Sequence, residues 1–288
     1  MLRTNSGPSW DDLKYAIAGI YNFNMFGIPV TGADICSAHH TDFVNEELCG
    51  RWFQLGTFMP FARQYRDDNH GLNHTEVWAL NEPYRSWATY SLYDRLQYVK
   101  LFYSCLYKVS QEGGGCFEPL FFHFPNETEA LTNPEHSFMF AEQIKVTPVL
   151  EAGKCVEGAN TVPSYFPTGR PGSFYGATAA WVNLNNYGDI VESSGSWVDL
   201  EAPCGAAGSA LNTTVLKHLK PGGLIPFQPN PTQAYKNTKD IRLQAFDLLV
   251  NPDHDGHAHG SVYLDRTDSR HTDARFEIVN KTSNIPTG

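Results

Sequence analysis

The sequence predicts a fold in which an α/β region is followed by an all-β region. Between residues 28 and 65, two short apolar runs flank a segment with helical spacing, which is the strand–helix–strand order of a parallel sheet or barrel. Residues 86–111 form the longest helical pattern of the chain. From Cys116 onward, short runs rich in Val, Phe and Tyr alternate with Pro, Gly and Asn, which is typical of antiparallel β-sandwiches.

The α/β region is expected to begin with a helix that leads into two strands. Ser9 and Asp12 have the spacing of a capping box, and the helix that they start is expected to end at Gly27. The two apolar runs predict strands at residues 28–33 and 58–61. The helix between the strands is marked by the stripe Leu48, Trp52 and Leu55. The later, longest helix is marked by the stripe Leu92, Leu96, Val99, Leu106 and Val109.

Polar side chains follow both predicted strands. Asp34 comes directly after the first strand, and Arg63 and Tyr65 follow the second. The carboxyl ends of the strands hold the chemistry in parallel α/β folds, because the backbone below is rigid and the loops above are free to vary. We therefore expect Asp34, Arg63 and Tyr65 to belong to the functional site.

The all-β region is predicted from six apolar runs and one break. The runs that predict strands are PLFFHF, IKVTPVL, WVNLN, WVDL, LLV and GSVYLD. A turn-like break at Gly195 is expected to separate a proximal sandwich, residues 113–195, from a distal one, residues 196–288.

Composition excludes several classes of partner. A formal net charge of −10 argues against nucleic acid and anionic membrane surfaces. No apolar run reaches the length of about 20 residues that a membrane span requires. The glycines at 222 and 223 lack the following motif of a phosphate loop, and we expect no cofactor.

A His-rich segment and the cysteines are the candidate metal ligands of the sequence. The candidate metal ligands of this segment are Asp253, His254, Asp255, His257 and His259. We expect a solvated turn there and no metal site, with adventitious Zn²⁺ or Ni²⁺ binding as the alternative. None of the six cysteines lies in a CxxC pair, which argues against structural zinc.

Four segments resemble one enzyme family. The segments GIPVTGADIC, ELCGRWFQLGTFMPFAR, VTPVLEAG and YFPTGR are similar, in this order, to the α-glucosidases of glycoside hydrolase family 31, which include the lysosomal and intestinal maltases. The resemblance covers only the second half of such an enzyme. It implies that residues 1–112 are the C-terminal part of a (β/α)₈ TIM barrel and that two antiparallel β-sandwich domains follow.

The resemblance implies a retaining mechanism that uses two carboxyl groups. This sequence has an acidic residue at neither of the two matching positions. No segment matches the strand that carries the family's nucleophile, and the apparent acid/base position is Asn5. An amide cannot donate and then recover a proton, so the acid/base function is expected to be lost there. Asp34 matches a residue near the sugar subsite, and its alternative role is a helix cap or a salt bridge to Arg51 or Arg63.

Two other substrate-facing positions also depart from the family pattern. Ala38 stands where the family has a Phe in the pocket wall, and Tyr65 stands where it has a substrate-binding His. These departures leave two hypotheses open. The chain is either part of an enzyme that hydrolyses α-linked glucosides, or a non-catalytic structural or carbohydrate-binding subunit that keeps the fold. A standalone carbohydrate-binding sandwich is weaker, because it leaves the barrel part unexplained.

Covalent features point to an oxidising compartment. The resemblance implies a Cys36–Cys49 disulfide. Proximity favours two further pairings, Cys105–Cys116 and Cys155–Cys204. Sequons for N-glycosylation occur at Asn73, Asn126, Asn212 and Asn280. We expect a secreted, lysosomal or other endomembrane location.

The barrel part is expected to need a partner. A (β/α)₈ barrel takes roughly 250 residues, and two strand–helix units would leave sheet edges unpaired. We therefore expect a chain or segment that carries the N-terminal half of the barrel, in addition to a carbohydrate ligand.

Overall fold

The computed structural model describes most of the chain. The described residues are 2–4 (as backbone), 7–36, 45–64, 76–158, 160–168, 179–210, 212–229, 240–241 and 244–264. The first half contains β1 (Leu2–Thr4), α1 (Trp10–Met25), β2 (Thr31–Ile35), α2 (Glu46–Gly56), β3 (Phe61–Gln64), α3 (Tyr84–Gln97) and α4 (Val99–Glu112). Within the described part, no helix is both long and apolar enough to span a bilayer.

The first three strands form a parallel sheet in the order β1-β2-β3. The capping box that starts α1 is present, since the Ser9 hydroxyl accepts from the Asp12 amide and the Asp12 carboxylate accepts from the Ser9 amide. Both predicted strands begin about three residues later than expected. Pro29 and Pro60 explain the shift, because proline lacks the N–H that a ladder position must donate. Strand β1 is an addition that the apolar runs did not predict.

The long helix predicted over residues 86–111 is instead two helices. Tyr98 ends α3 and precedes α4, and its backbone φ of −100° and ψ of 9° lie outside helical values. The turn shifts the phase of the pattern, so Leu92 of the predicted stripe is 44% exposed. The buried side of α3 carries Trp87 and Asp94 instead. The prediction was wrong because the spacing alone does not reveal a one-residue break.

The second half is built from antiparallel strands and two short helices. Its elements are β4 (Phe117–Pro119), α5 (Leu120–His123), α6 (Thr128–Leu131), β5 (Phe138–Phe140), β6 (Ile144–Thr147), β7 (Thr161–Phe166), β8 (Ala179–Asn183), β9 (Ile190–Ser193), β10 (Ser196–Glu201), β11 (Leu216–Leu219), β12 (Gly223–Phe227) and β13 (Asp247–Asn251). Four of the six predicted runs contain strands. The run PLFFHF is mainly helix α5, and the described part of GSVYLD forms no strand.

Strand order departs from chain order in this half. Six strands form one sheet in the order β4-β5-β6-β11-β8-β9, while β7 pairs with β10 and β12 pairs with β13. Strands on both sides of the boundary expected after residue 195 are therefore paired with one another, because β10 lies beside β7 and β11 lies between β6 and β8. The pairing joins strands from both sides of residue 195, and the domain boundary expected there stays a prediction.

The two halves share one hydrophobic core. Side chains of α1, α2 and α4 lie in the same buried cluster as those of β4, β5 and β6. Phe102 and Phe140 meet across the halves with ring centroids 4.4 Å apart. Aromatic pairs at this distance add about 0.5–1.5 kcal/mol beyond their buried area. The barrel part is thus packed firmly on the β-region.

Three buried side chains of the helices also bond to backbone carbonyls of residues 203–213. Arg51 Nη1 donates to the Pro203 carbonyl at 2.8 Å, and Gln54 Nε2 donates to the Thr213 carbonyl at 2.6 Å. Trp87 Nε1 donates to the Gly205 carbonyl at 2.9 Å. The Arg51 guanidinium lies 4.3 Å from the Trp87 ring centroid, and burial lowers the pKa of Arg51 to about 10. We call these three residues the helix clamp.

Three disulfides connect the cysteines. The pairs are Cys36–Cys49, Cys105–Cys116 and Cys155–Cys204. These are the pairings that the sequence analysis expected.

Candidate active site

The carboxyl ends of β2 and β3 bring Asp34 and Arg63 together. The two residues are partners in the register of the parallel pair. Arg63 Nε donates to Asp34 Oδ1 at 3.1 Å. The side chain of Asp34 is 0% exposed and that of Arg63 is 37% exposed, so the carboxylate is buried while its partner side chain is partly exposed. A buried carboxylate needs such a partner, because an uncompensated charge in the interior costs several kcal/mol.

Gly32 allows the two strands to approach closely below this pair. A Cβ atom at position 32 would lie 1.6 Å from the Phe61 carbonyl oxygen. Only glycine fits such an approach, since real Cβ atoms do not come within 3.0 Å of a backbone atom. The glycine of the GADIC segment therefore sets the alignment of Asp34 with Arg63.

A disulfide fixes the turn that follows Asp34. Cys36 has a φ of 65°, which is uncommon for a residue with a side chain. It is bonded to Cys49 in α2, the helix that begins at the Asn45 cap. The bridge ties the carboxyl end of β2 to α2 and so restricts the position of the turn at Cys36.

The two alternatives for the salt bridge of Asp34 are resolved by the structure. Arg63 is the partner, whereas the Arg51 guanidinium contacts Gln54 Oε1 at 2.9 Å, the Pro203 carbonyl and Cys155 Sγ. Asn5, Ala38 and Tyr65 lie outside the described residues, as do the sequons at Asn73 and Asn280. Asn126 and Asn212 are described and exposed.

The described sheet contains one carboxylate and not a complete catalytic pair. Strands β1, β2 and β3 contain one carboxylate between them, that of Asp34. A retaining glycosidase needs two carboxyl groups about 5–5.5 Å apart. Carboxylates accept short hydrogen bonds from hydroxyl groups, and guanidinium groups donate to them. The arrangement places a polar pair, in which only Arg63 is partly exposed, at the carboxyl edge of the sheet.

The His-rich segment forms a turn that Asp253 holds. Asp253 Oδ1 accepts from the backbone amides of Asp255 at 3.0 Å and His257 at 2.9 Å. One side-chain atom of the kind that can bind a metal ion, from each of these three residues, lies within 4.8 Å of the other two. Asp255 and His257 are exposed, as expected of a solvated turn.

The buried polar cluster around Lys145 was not predicted from the sequence. Lys145 Nζ donates to Thr147 Oγ1 at 2.9 Å and to the hydroxyls of Ser137 and Ser164. The ammonium also lies 4.1 Å from the Phe166 ring centroid. Burial lowers the pKa of Lys145 well below its usual range. Lys145 is 0% exposed, so this network has a structural role; its signal in the sequence is a lysine inside the apolar run IKVTPVL.

Comparison with known proteins identifies the family. Residues 4–105 match the model of the TIM-barrel domain of glycosyl hydrolases of family 31, and residues 113–221 match that of the family's C-terminal domain. The alpha-glucosidase of Hordeum vulgare is 33% identical over 272 residues, which cover 92% of this chain and 27% of the relative. The lysosomal alpha-glucosidase of Rattus norvegicus is 32% identical, with coverage of 91% and 26%.

The fold agrees with that relationship. A crystal structure of the glucosidase II alpha subunit superposes with a TM-score of 0.75 at 19% identity, covering 91% of this chain and 25% of that one. The chain thus spans about a quarter of the length of the relatives that it matches. Two models of one family match consecutive parts of the chain in the family's order. The chain belongs to glycoside hydrolase family 31.

Proposed function

We propose that this chain is the C-terminal portion of an α-glucosidase-type glycosidase that acts on α-linked glucosides with retention. The observation that carries the proposal is the buried Asp34 carboxylate, held by Arg63 at the carboxyl edge of a parallel sheet. Relatives that are α-glucosidases support the substrate class. Asp34 and Arg63 bind the sugar in this proposal, and Ala38 and Tyr65 line the same pocket.

The catalytic carboxylates come from elsewhere in this proposal. A segment that carries the N-terminal half of the barrel supplies the nucleophile and pairs with the sheet. In the described sheet, β1 and β3 are the outer strands, so further strands of the barrel would join the sheet beside them. A parallel edge left open exposes unpaired N–H and C=O groups, which favours pairing with further strands.

The remaining features are proposed to follow the family. Residues 1–112 form barrel, and the β-region forms antiparallel sandwiches. Three disulfides and the lysosomal relative support a secreted, lysosomal or endomembrane location. N-glycans are proposed at the exposed Asn126 and Asn212, with Asn73 and Asn280 as further acceptors.

Hydrolysis by the complete polypeptide that carries this chain tests the proposal. Maltose and a nitrophenyl α-glucoside are the substrates. Asp34→Asn should lower kcat/KM by about 10- to 100-fold, because it removes charge-assisted hydrogen bonds to the sugar. Asp11→Asn, an exposed acid in the first turn of α1, is the matched control and should leave the rate unchanged. Hydrolysis that Asp34→Asn does not reduce would contradict the assignment.

The second candidate is a non-catalytic subunit that keeps the fold. The amide at Asn5, together with Ala38 and Tyr65 at sugar-facing positions, favours it. Asn5→Asp separates the candidates: if only the acid is missing, the rate of the completed protein should rise by about 10²–10⁴-fold. Failure of this variant, together with failure to bind a glucose-like inhibitor in calorimetry, would support the non-catalytic subunit. High activity in the unmodified protein would show that Asn5 does not occupy the acid/base position.

A further inference from the structure

We propose that a second binding pocket, for a pyranose ring, lies between helix α3, the loop that follows β8 and the loop that precedes β11. The cavity has a volume of about 350 Å³. This volume lies within the range of about 300–1,000 Å³ that is usual for small-molecule sites. Its lining includes the side chains of Tyr90, Tyr93, Asp94, Gln97, Asn185 and Lys217.

A buried ion pair forms the floor of this pocket. Lys217 Nζ lies 2.9 Å from Asp94 Oδ2, and the two side chains are 2% and 6% exposed. The same ammonium donates to Thr214 Oγ1 at 3.0 Å and to Asn185 Oδ1. Two hydrogen bonds and one ion pair surround the ammonium, so Lys217 holds the floor rather than the ligand.

The second carboxylate oxygen of Asp94 is available to a ligand. Oδ1 has no hydrogen bond to any group in the described part of the chain, and it is absent from the buried unpaired atoms of that part. Because Asp94 lines the cavity and Oδ1 is not fully buried, this oxygen is the one that a ligand in the cavity can reach. An ionised oxygen with two lone pairs can accept from two neighbouring hydroxyl groups of a sugar.

The walls fit a neutral ring with apolar faces and a hydroxyl edge. Tyr90 and Tyr93 meet edge to face with ring centroids 6.1 Å apart, and Tyr93 is 41% exposed. The side-chain amide of Gln97, which bonds to no described group, offers both a donor and acceptors. Asp94 and Lys217 cancel each other's charge, which disfavours an ionic ligand. Aromatic faces with a few convergent polar groups are the pattern of a saccharide site.

The pyranose ring has two sources. One is a free saccharide that enters from solution. The other is an N-glycan on Asn212, which lines the pocket, is exposed and lies in a sequon. Both present the same chemistry, and the host that produces the protein distinguishes them.

The pocket is independent of the function proposed above. It shares no residue with Asp34 and Arg63. Binding is therefore measured in an Asp34→Asn background, in the complete folded polypeptide made in a bacterial host that attaches no N-glycan. A failure of the hydrolysis test then leaves the binding measurement unaffected. A failure of the binding measurement likewise leaves the hydrolysis test unaffected.

Calorimetric titration with maltose is the test. We expect a Kd on the order of 1 mM, which Tyr93→Ala weakens by roughly 3- to 10-fold through loss of the aromatic face. Tyr93→Phe keeps the ring and should bind within about twofold of the parent. Tyr15→Ala removes a tyrosine that is 67% exposed on α1 and serves as the matched control, with unchanged affinity. Each variant is used only with an unchanged melting curve, and Tyr93→Phe is the variant that keeps the fold if Tyr93→Ala does not.

A eukaryotic host provides the second arm. If the glycan on Asn212 fills the pocket, maltose binding is absent from that protein and returns after enzymatic removal of the glycan. If free saccharide is the ligand, both preparations bind alike. Absence of maltose binding in the unglycosylated protein overturns the proposal. Binding that Tyr93→Phe and Tyr93→Ala leave equally strong overturns it as well, because the ligand is then seated elsewhere.

Discussion

His218 in the centre of the six-stranded sheet is expected to make the fold sensitive to acid. Its side chain is 0% exposed, and its ring meets Phe166 edge to face at a centroid distance of 4.9 Å. Within the described residues, neither ring nitrogen has a hydrogen-bond partner. Burial, and then the positive charges of Lys145 and Lys217, lower the pKa of His218 from 6.5 to about 3.

The sign of the effect follows from where the proton binds. Between the two pKa values the folded state keeps His218 neutral, whereas the unfolded chain takes up a proton. The free energy of unfolding should therefore fall as the pH drops below about 6.5. A pH of 5 lies about 1.5 units below the pKa of the unfolded histidine. Each unit stabilises the protonated unfolded state by about 1.4 kcal/mol, so the free energy of unfolding falls by roughly 2 kcal/mol.

Urea unfolding at pH 8 and pH 5 measures this contribution. His218→Leu removes the titrating ring without leaving a buried polar atom unpaired. The free energy of unfolding of this variant should therefore fall by roughly 2 kcal/mol less, between pH 8 and pH 5, than that of the parent. His254→Gln is the control, because His254 is 82% exposed in the solvated turn. Equal pH dependence in the parent and His218→Leu would refute the reasoning and show that the folded state accepts the proton.

Three further changes test the packing described above. Asp94→Asn or Lys217→Met alone should each cost about 3–5 kcal/mol, and the double variant about 1–3 kcal/mol less than their sum; denaturant titrations that show simple additivity would contradict a coupled pair. Gly32→Ala should cost at least about 2 kcal/mol, whereas Gly188→Ala, whose new Cβ meets nothing closer than 3.7 Å, should change the melting curve little. Cys36→Ser opens a bridge of sequence separation 13 and should cost about 2–4 kcal/mol in thermal unfolding, with no loss if the bridge is absent.

The sequence predicted the site end of the sheet better than its edges. Asp34 and Arg63 were found because polar residues after apolar strands mark the carboxyl edge, and register then made them neighbours. Strand β1 was missed, because the three residues Leu2–Thr4 are too short for a periodic pattern. Residues such as Asn5 and Tyr65 were assigned by resemblance alone, and their roles stay predictions.

Long-range partners could not be predicted from local patterns. Asp94 and Lys217 are far apart in the chain, and nothing around either residue reveals that the other neutralises it. The expected break at Gly195 followed from turn residues, yet a turn between β9 and β10 is compatible with strands that return to earlier sheets. Strand order depends on which apolar faces meet, and that information is spread over the whole chain.

The helix clamp has a consequence for how this protein can diverge. All three clamp donors are side chains, and all three acceptors are main-chain carbonyls of residues 203–213. A carbonyl is present whatever residue occupies the position, so these three bonds do not depend on the side chains of the loop as long as its path is kept. Arg51, Gln54 and Trp87 have no such freedom, because each must reach a fixed oxygen with a particular N–H. A library that randomises the three donor and the three acceptor positions should therefore keep these bonds in variants of the acceptors and lose them in variants of the donors.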